Sequence, residues 1–216
     1  QANIKDVSGQ FYLDGFDDKW ARGVMMTRSF GSHFHIMEAL VLLYEQKKTD
    51  SLRDSIRELI NIIIDRFIDK DSYSCLHRFT EDWELLPNEV WAGHNAECSW
   101  VICEAAKTIH DAALIKKTQD LAVKMMDLVV KNARDKNNGG YFNAIDGSKP
   151  LEDVKSWWPQ AELVLGLLNV FRITGNEKYR ILALEQSRFI SETLISKKGE
   201  WFTEVDHSGA PVKGTP

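Results

Sequence analysis

The sequence predicts an all-α fold made of repeated αα-hairpins. Three observations predict it. Six segments carry apolar residues at helical spacing, with turn residues between them. Short stretches of strand-forming residues precede the first helix of each pair. A polar cluster ending in Glu opens each first helix: His35-x-x-Glu38, His94-x-x-Glu97 and Trp158-Pro-Gln-Ala-Glu162, with the glutamates 59 and 65 residues apart. Repeated hairpins stack so that neighbours bury each other's apolar faces. All three clusters then fall at the same end of the first helices and converge on one mouth. Three hairpins make an arc, not a closed ring.

Taken in order, residues 1–30 read as extended. A strand over Gly9–Gly15 ends in an Asp14-Gly15 turn, and Trp20 to Phe30 supplies a return strand with Met25 and Met26. Ser32 then caps a helix whose stripe is Ile36, Ala39, Leu40, Leu43 and Tyr44. A second helix spans Ser51 to Ile68, with Ile56, Leu59, Ile60 and Ile63 on one side. Residues 69–93 are mixed and aromatic, a strand–turn–strand or long loop ending at Gly93. Helices over 94–110 and 113–134 follow, the latter with Leu121, Met125, Leu128 and Val129 as its stripe. Asn137-Asn-Gly-Gly140 stops the second, and Tyr141–Ile145 is a short strand before Asp146-Gly147. Trp157–Thr174 and Glu177–Ile195 are helical, separated by Gly175-Asn176. The first has Ala161, Val164, Leu165, Leu168, Val170 and Phe171 as its stripe. Lys198–Asp206 reads as a strand turned by Ser208-Gly209.

The 216 residues are 44% hydrophobic and 27% charged, an ordinary globular mix, with a net charge of −5. No run of basic residues exceeds two, which argues against a nucleic-acid partner. No apolar run reaches membrane-spanning length, so no membrane partner is expected. Cys75, Cys98 and Cys103 lack zinc-type spacing and cannot all pair, which suits reduced thiols in a cytoplasmic protein. The chain starts at Gln1, not Met, which leaves room for an upstream segment.

The clusters carry the chemistry. His94 and Glu97, three apart in a first helical turn, share a face that Trp100 extends. His is the usual acid/base near neutral pH. A helix N-terminus disfavours imidazolium, while a carboxylate one turn away favours it. His35 with Glu38 repeats the pattern. Glu162 lies within an apolar stripe and needs a partner, for which sugar hydroxyls serve. Of Trp157 and Trp158, adjacent in sequence, one faces the mouth. His33, two before His35, points elsewhere and reads as structural; His77, His110 and His207 show no constellation. The sequence has no Gly-rich phosphate loop, serine elbow or metal-ligand ladder. A histidine site without them suits proton transfer at a carbon next to a carbonyl, with neither metal nor cofactor.

On Ser32-His-Phe-His-Ile-Met-Glu-Ala39, Gly93-His-Asn-Ala-Glu97 with Trp100, and Ser156-Trp-Trp-Pro-Gln-Ala-Glu162, the chain resembles the N-acylglucosamine 2-epimerase / cellobiose 2-epimerase superfamily. Gly139-Gly-Tyr-Phe142 and Gly199-Glu-Trp-Phe202 add to the likeness. The resemblance implies an (α/α)6 toroid, of which residues 1–216 would be the C-terminal part. This part would hold three αα-hairpins with short β-hairpins over the active-site mouth. It implies a small sugar substrate and proton transfer at C2 through a cis-enediolate. His94 would be the C2 acid/base and His35 would assist ring opening. Glu97, Glu162, Glu38, Trp100 and Trp158 would bind sugar. The partner in folding would be the rest of the same barrel, including a second catalytic His downstream of the Gly-Glu-Trp-Phe stretch and an Arg upstream of Gln1. Gln160 in Trp-Trp-Pro-Gln leans to the cellobiose or mannobiose type, since the N-acylglucosamine type more often has His there. Asn95 and Ala96 depart from the Gly-His-Asp-Ile-Glu usual in the disaccharide type.

Within the same superfamily the alternatives are an N-acylglucosamine 2-epimerase and an aldose–ketose isomerase. From other classes come an α/α-toroid glycoside hydrolase, with Glu97 and Glu162 as its two carboxylates, and a sugar-binding fragment without activity. The hydrolase leaves the two histidines unexplained.

Overall fold

Each hairpin is entered and left by a β-strand, and the two strands pair. The computed structural model describes residues 11–12, 14–16, 22–146 and 149–212. The first unit runs β1 (Asp14–Phe16), β2 (Arg22–Ser29), α1 (Phe30–Gln46), α2 (Asp50–Arg66) and β3 (Arg78–Thr80). The second runs β4 (Val90–Trp91), α3 (Ala92–Thr108), α4 (Ala112–Asn132), β5 (Ala144–Asp146) and β6 (Lys149–Pro150). The third runs β7 (Val154–Ser156), α5 (Trp157–Thr174), α6 (Glu177–Phe189), a π-helical turn (Ile190–Leu194) and β8 (Glu204–Asp206). In every unit the last residue of the entering strand opposes the first of the returning one: Ser29 with Arg78, Trp91 with Ala144, Ser156 with Glu204. The ladder closes each hairpin at the end where its first helix starts, as expected of the β-pairs over the mouth.

Local chemistry sets the helix ends. Ser29, Thr49, Asp111 and Asn176 each accept a first-turn N–H and cap α1, α2, α4 and α6. The expected cap Ser32 is instead the donor to Ser29 Oγ at 3.1 Å, because Ser29 is the residue with extended backbone. Gly93 lies inside α3, not in a loop before it. Gly175 ends α5 in the left-handed conformation that favours glycine. Asp14-Gly15 is strand, not turn, and the strand expected over Lys198–Asp206 is confined to β8. The expected strand residues at 9–10 and 13, Trp20 and the turn at 147 lie outside the described residues.

α1, α3 and α5 lie side by side with α3 in the middle, and α2, α4 and α6 back onto them. Two outer helices follow their expected stripes: Ile56, Leu59, Ile60 and Ile63 are buried on α2, and Leu121, Met125 and Val129 on α4, where Leu128 is half-buried. The inner helices do not. α1 buries Phe30, Phe34, Met37 and Tyr44, leaving Leu43 of the expected stripe exposed. α5 buries Leu163, Leu167 and Val170, leaving Leu165 exposed. An inner helix is apolar on several sides, so its pattern does not single out one face. α3 and α5 approach closely at Gly166, where a Cβ would lie 2.7 Å from Met126 Sδ and 3.2 Å from the Ala96 carbonyl. A buried ion pair, Lys155 Nζ to Asp135 Oδ2 at 2.8 Å, ties β7 to the chain that follows α4. Among the described residues no helix is long and apolar enough to cross a membrane.

Candidate active site

The strand-to-helix junctions place the polar clusters at one end of the inner helices. His35, Glu97 and Glu162 each stand six residues after their helix caps, Ser29, Trp91 and Ser156. The repeat therefore aligns His35 with the two glutamates. It does not align His35 with His94, as the shared His-x-x-Glu spacing suggests. His94 sits one turn nearer the cap of α3.

The seven expected site residues fall into three contact groups, linked electrostatically through His35 to His94 and through Glu162 to Glu97. The His94 ring lies 5.1 Å from the Trp158 ring, centre to centre. His35 Nδ1 meets Glu38 Oε2 at 2.7 Å. Ligand atoms of His35, Glu38 and Glu97 all lie within 4.8 Å of one another. Trp100 Nε1 donates to Glu162 Oε2 at 2.7 Å, supplying the partner that Glu162 needed. Trp158 is the tryptophan of the pair that faces the mouth; Trp157 is exposed and packs on Trp201. Gly93 makes room for Trp158, since a Cβ there would lie 2.7 Å from two of its ring carbons.

Two residues gain a role that their sequence context did not show. His77, expected to have no constellation, puts Nε2 3.2 Å from His94 Nδ1. Trp91 stacks on His94 at 5.6 Å with 23° between the planes. The only hint was position: both lie on the extended stretch expected over the mouth. His33 is structural as expected, buried with Nδ1 2.8 Å from the Ser29 carbonyl. His207 pairs with Asp153 away from the mouth.

A cleft of about 670 Å³ opens here, lined by Phe30, His35, His77, Asn88, Trp91 and His94 among others. Burial pushes His94 down to about 4, with His77 and His35 adding to it. Burial also takes His77 to about 4, against the pull of the Asn88 side chain. Both imidazoles are thus neutral at pH 7. Burial, then Glu162 and Glu38, push Glu97 up to about 7 against His35. Glu162 is raised by burial and by Glu38, and held back by the Trp100 N–H. The mouth thus holds a neutral base and a carboxyl able to gain or lose a proton near pH 7. His35, Glu38 and Glu97 are also the donors that would serve a divalent ion, one nitrogen and two oxygens.

Two residues that looked informative about substrate belong to the scaffold. Gln160 is fully buried and pairs with the Tyr141 backbone through both ends of its amide, at 3.0 and 2.8 Å. Asn95 is fully buried, accepting from Cys75 N at 3.1 Å and donating to the Trp91 carbonyl at 2.8 Å. An ionised Asp could not make the second bond.

The sequence model of the N-acylglucosamine 2-epimerase (GlcNAc 2-epimerase) family matches residues 1–216. The chain belongs to this family. A cellobiose 2-epimerase of Dictyoglomus turgidum is 26% identical over 212 residues, covering 93% of this chain and 54% of that protein. The solved cellobiose 2-epimerase of Bacillus thermoamylovorans superposes with a TM-score of 0.85 at 23% identity, covering 97% of this chain and 56% of that one. A D-mannose isomerase structure gives 0.86 at 19% identity, covering 98% and 57%. The fold is that of the (α/α)6 toroid, and the chain spans about half the length of these family relatives.

Proposed function

We propose that these residues are the C-terminal half of a sugar 2-epimerase acting at C2 of the reducing-end glucose or mannose of a β-linked disaccharide. The observation that carries the reading is His94: a buried imidazole, neutral at pH 7, at the wall of an aromatic-lined cleft. A proton on the carbon next to an open-chain sugar's carbonyl is acidic enough for such a base. His94 takes the C2 proton, the electron pair moves onto the carbonyl, and a cis-enediolate forms. Glu97, near its own ionisation point at pH 7, exchanges protons with the sugar hydroxyls. His35 with Glu38 receives the anomeric end for ring opening. Inversion requires a proton returned on the opposite face, the role the resemblance gives to a histidine downstream of Phe202. The remaining barrel would cover the apolar side chains left open on the arc, Leu42 and Leu43 of α1 and Leu165 of α5. Three buried, unpaired thiols suit a cytoplasmic setting.

The test is proton NMR of the intact gene product with cellobiose, mannobiose, N-acetylmannosamine and mannose in D2O, beside His94→Ala. Loss of the C2 proton signal with an epimer appearing, and a silent variant, is expected for a disaccharide. A ketose product moves the reading to an isomerase. No exchange with any sugar overturns it.

A further inference from the structure

His77 is held more firmly than a loop residue needs to be. Its N–H donates to Asn88 Oδ1 at 2.7 Å, and its carbonyl accepts from Phe30 N, the first residue of α1, at 2.9 Å. Two residues earlier, Cys75 N is held by Asn95 of α3. Asn88 Nδ2 reaches the Cys75 carbonyl at 3.3 Å. The Trp91 ring lies 6.0 Å and the Phe30 ring 6.2 Å from the imidazole. Three elements thus fix one ring so that its Nε2 faces His94 Nδ1 at 3.2 Å.

Two neutral imidazoles in contact cannot both donate or both accept, so their tautomers are locked together. Asn88 Oδ1 is taken by the His77 backbone N–H and does not choose between the two arrangements. The choice follows once His94 is the base. Its Nδ1 is turned to His77, so the nitrogen left to take a proton is Nε2. His94 Nδ1 then carries the hydrogen, and His77 Nε2 accepts it.

We propose that His77 is a positioning residue that fixes His94 in the Nδ1–H tautomer, leaving His94 Nε2 unprotonated as the base. When Nε2 takes a proton, the positive charge that forms on His94 is met by a hydrogen bond already in place to His77 Nε2. No net proton leaves the pair. This is the task a carboxylate performs for histidine in hydrolytic triads. Here a neutral ring performs it, which keeps His94 weakly basic. The assignment rests on the reading of His94 as the base; sugar exchange with His94 found protonated at Nε2 would overturn the assignment and leave the epimerase reading standing.

The test is ¹⁵N NMR of the histidine side chains in the intact gene product at pH 7, with His94→Gln used to assign the signals. Wild type should show His94 protonated at Nδ1 and bare at Nε2. Protonation at His94 Nε2 overturns the proposal without need of any variant. His77→Leu should switch His94 to Nε2–H and lower kcat for C2 exchange on the order of 10²-fold with KM little changed. His77→Gln, whose amide oxygen can accept where Nε2 did, should keep the tautomer and most of the rate. Equal rates in the Leu and Gln variants would also overturn it. The expected tautomer in a protein that exchanges no sugar would leave the inference standing and defeat the epimerase reading.

Discussion

The mouth holds two histidine pairs that differ mainly in their exposure to water. In one, His94 and His77 are buried among Trp91, Phe30 and Trp158, and both stay neutral down to about pH 4. In the other, His35 and Glu38 meet at 2.7 Å with side chains 63% and 33% exposed. Each pair engages a histidine Nδ1, with an imidazole at 3.2 Å in the first and a carboxylate in the second. Burial makes the first pair a neutral, weak base and leaves the second a hydrogen-bonded pair in contact with solvent. Chemistry needing an unprotonated nitrogen belongs to the first. Recognition of a polar, exposed group belongs to the second.

The most severe way to break this contrast is to remove each base. His94→Gln should lower kcat by roughly 10²–10⁴-fold, the usual weight of an acid/base residue. His35→Gln should cost less and act mainly on KM. Equal losses in kcat would erase the distinction.

Crowding offers the next test. Gly93→Ala drives a methyl group into Trp158, so it should destabilise the fold by about 1–3 kcal/mol. It should also reduce kcat, because Trp158 is a wall of the His94 site. A thermal melt and a rate assay together check both effects.

The pH dependence of stability sharpens the contrast further. His77 and His94 bind protons more weakly folded, at about 4, than unfolded, at 6.5. Their contribution is present above pH 6.5 and is lost as pH falls toward 4. Glu97 binds its proton more tightly folded, at about 7, than unfolded, at 4.5. Its contribution is present below pH 4.5 and is lost as pH rises through 7. Two histidines oppose one glutamate between pH 6.5 and 4.5, so Tm should fall on acidification. The fall should be steeper in Glu97→Gln, where the opposing group is gone. The smallest effect on stability is expected from His35→Gln, which should shift it by less than about 1 kcal/mol in a thermal melt at pH 7.

Much of this was legible in the sequence, for identifiable reasons. The outer helices lie between core and solvent, so their apolar stripes at Ile56/Ile60/Ile63 and Leu121/Met125/Val129 named their buried faces. Gly175 and Asn176 punctuated α5 and α6 to the residue. The seven site residues came from the repeated polar clusters and their flanks; of these His35 and His94 line the cleft, and Glu38 and Glu97 lie against His35. The buried faces of α1 and α5 were not legible, because an inner helix meets neighbours on several sides. Nor was His77: its partner is 17 residues away, and no helical or strand period links them. Gln160 and Asn95 looked like clues to substrate because they sit inside site motifs. Their amides are spent on the Tyr141, Trp91 and Cys75 backbones, which only coordinates reveal.

The strand pairing bears on how the chain is assembled during synthesis. Ser29 meets Arg78, Trp91 meets Ala144 and Ser156 meets Glu204, each within one uninterrupted stretch of polypeptide. As each returning strand leaves the ribosome, its partner has already emerged and is anchored at the head of its own helix pair. Contacts that are short in sequence form quickly, and domains fold N-terminal first as they are made. Each latch can shut before the next begins. His77, just ahead of the first latch, is set against α1 early and waits for α3 to bring His94 to it.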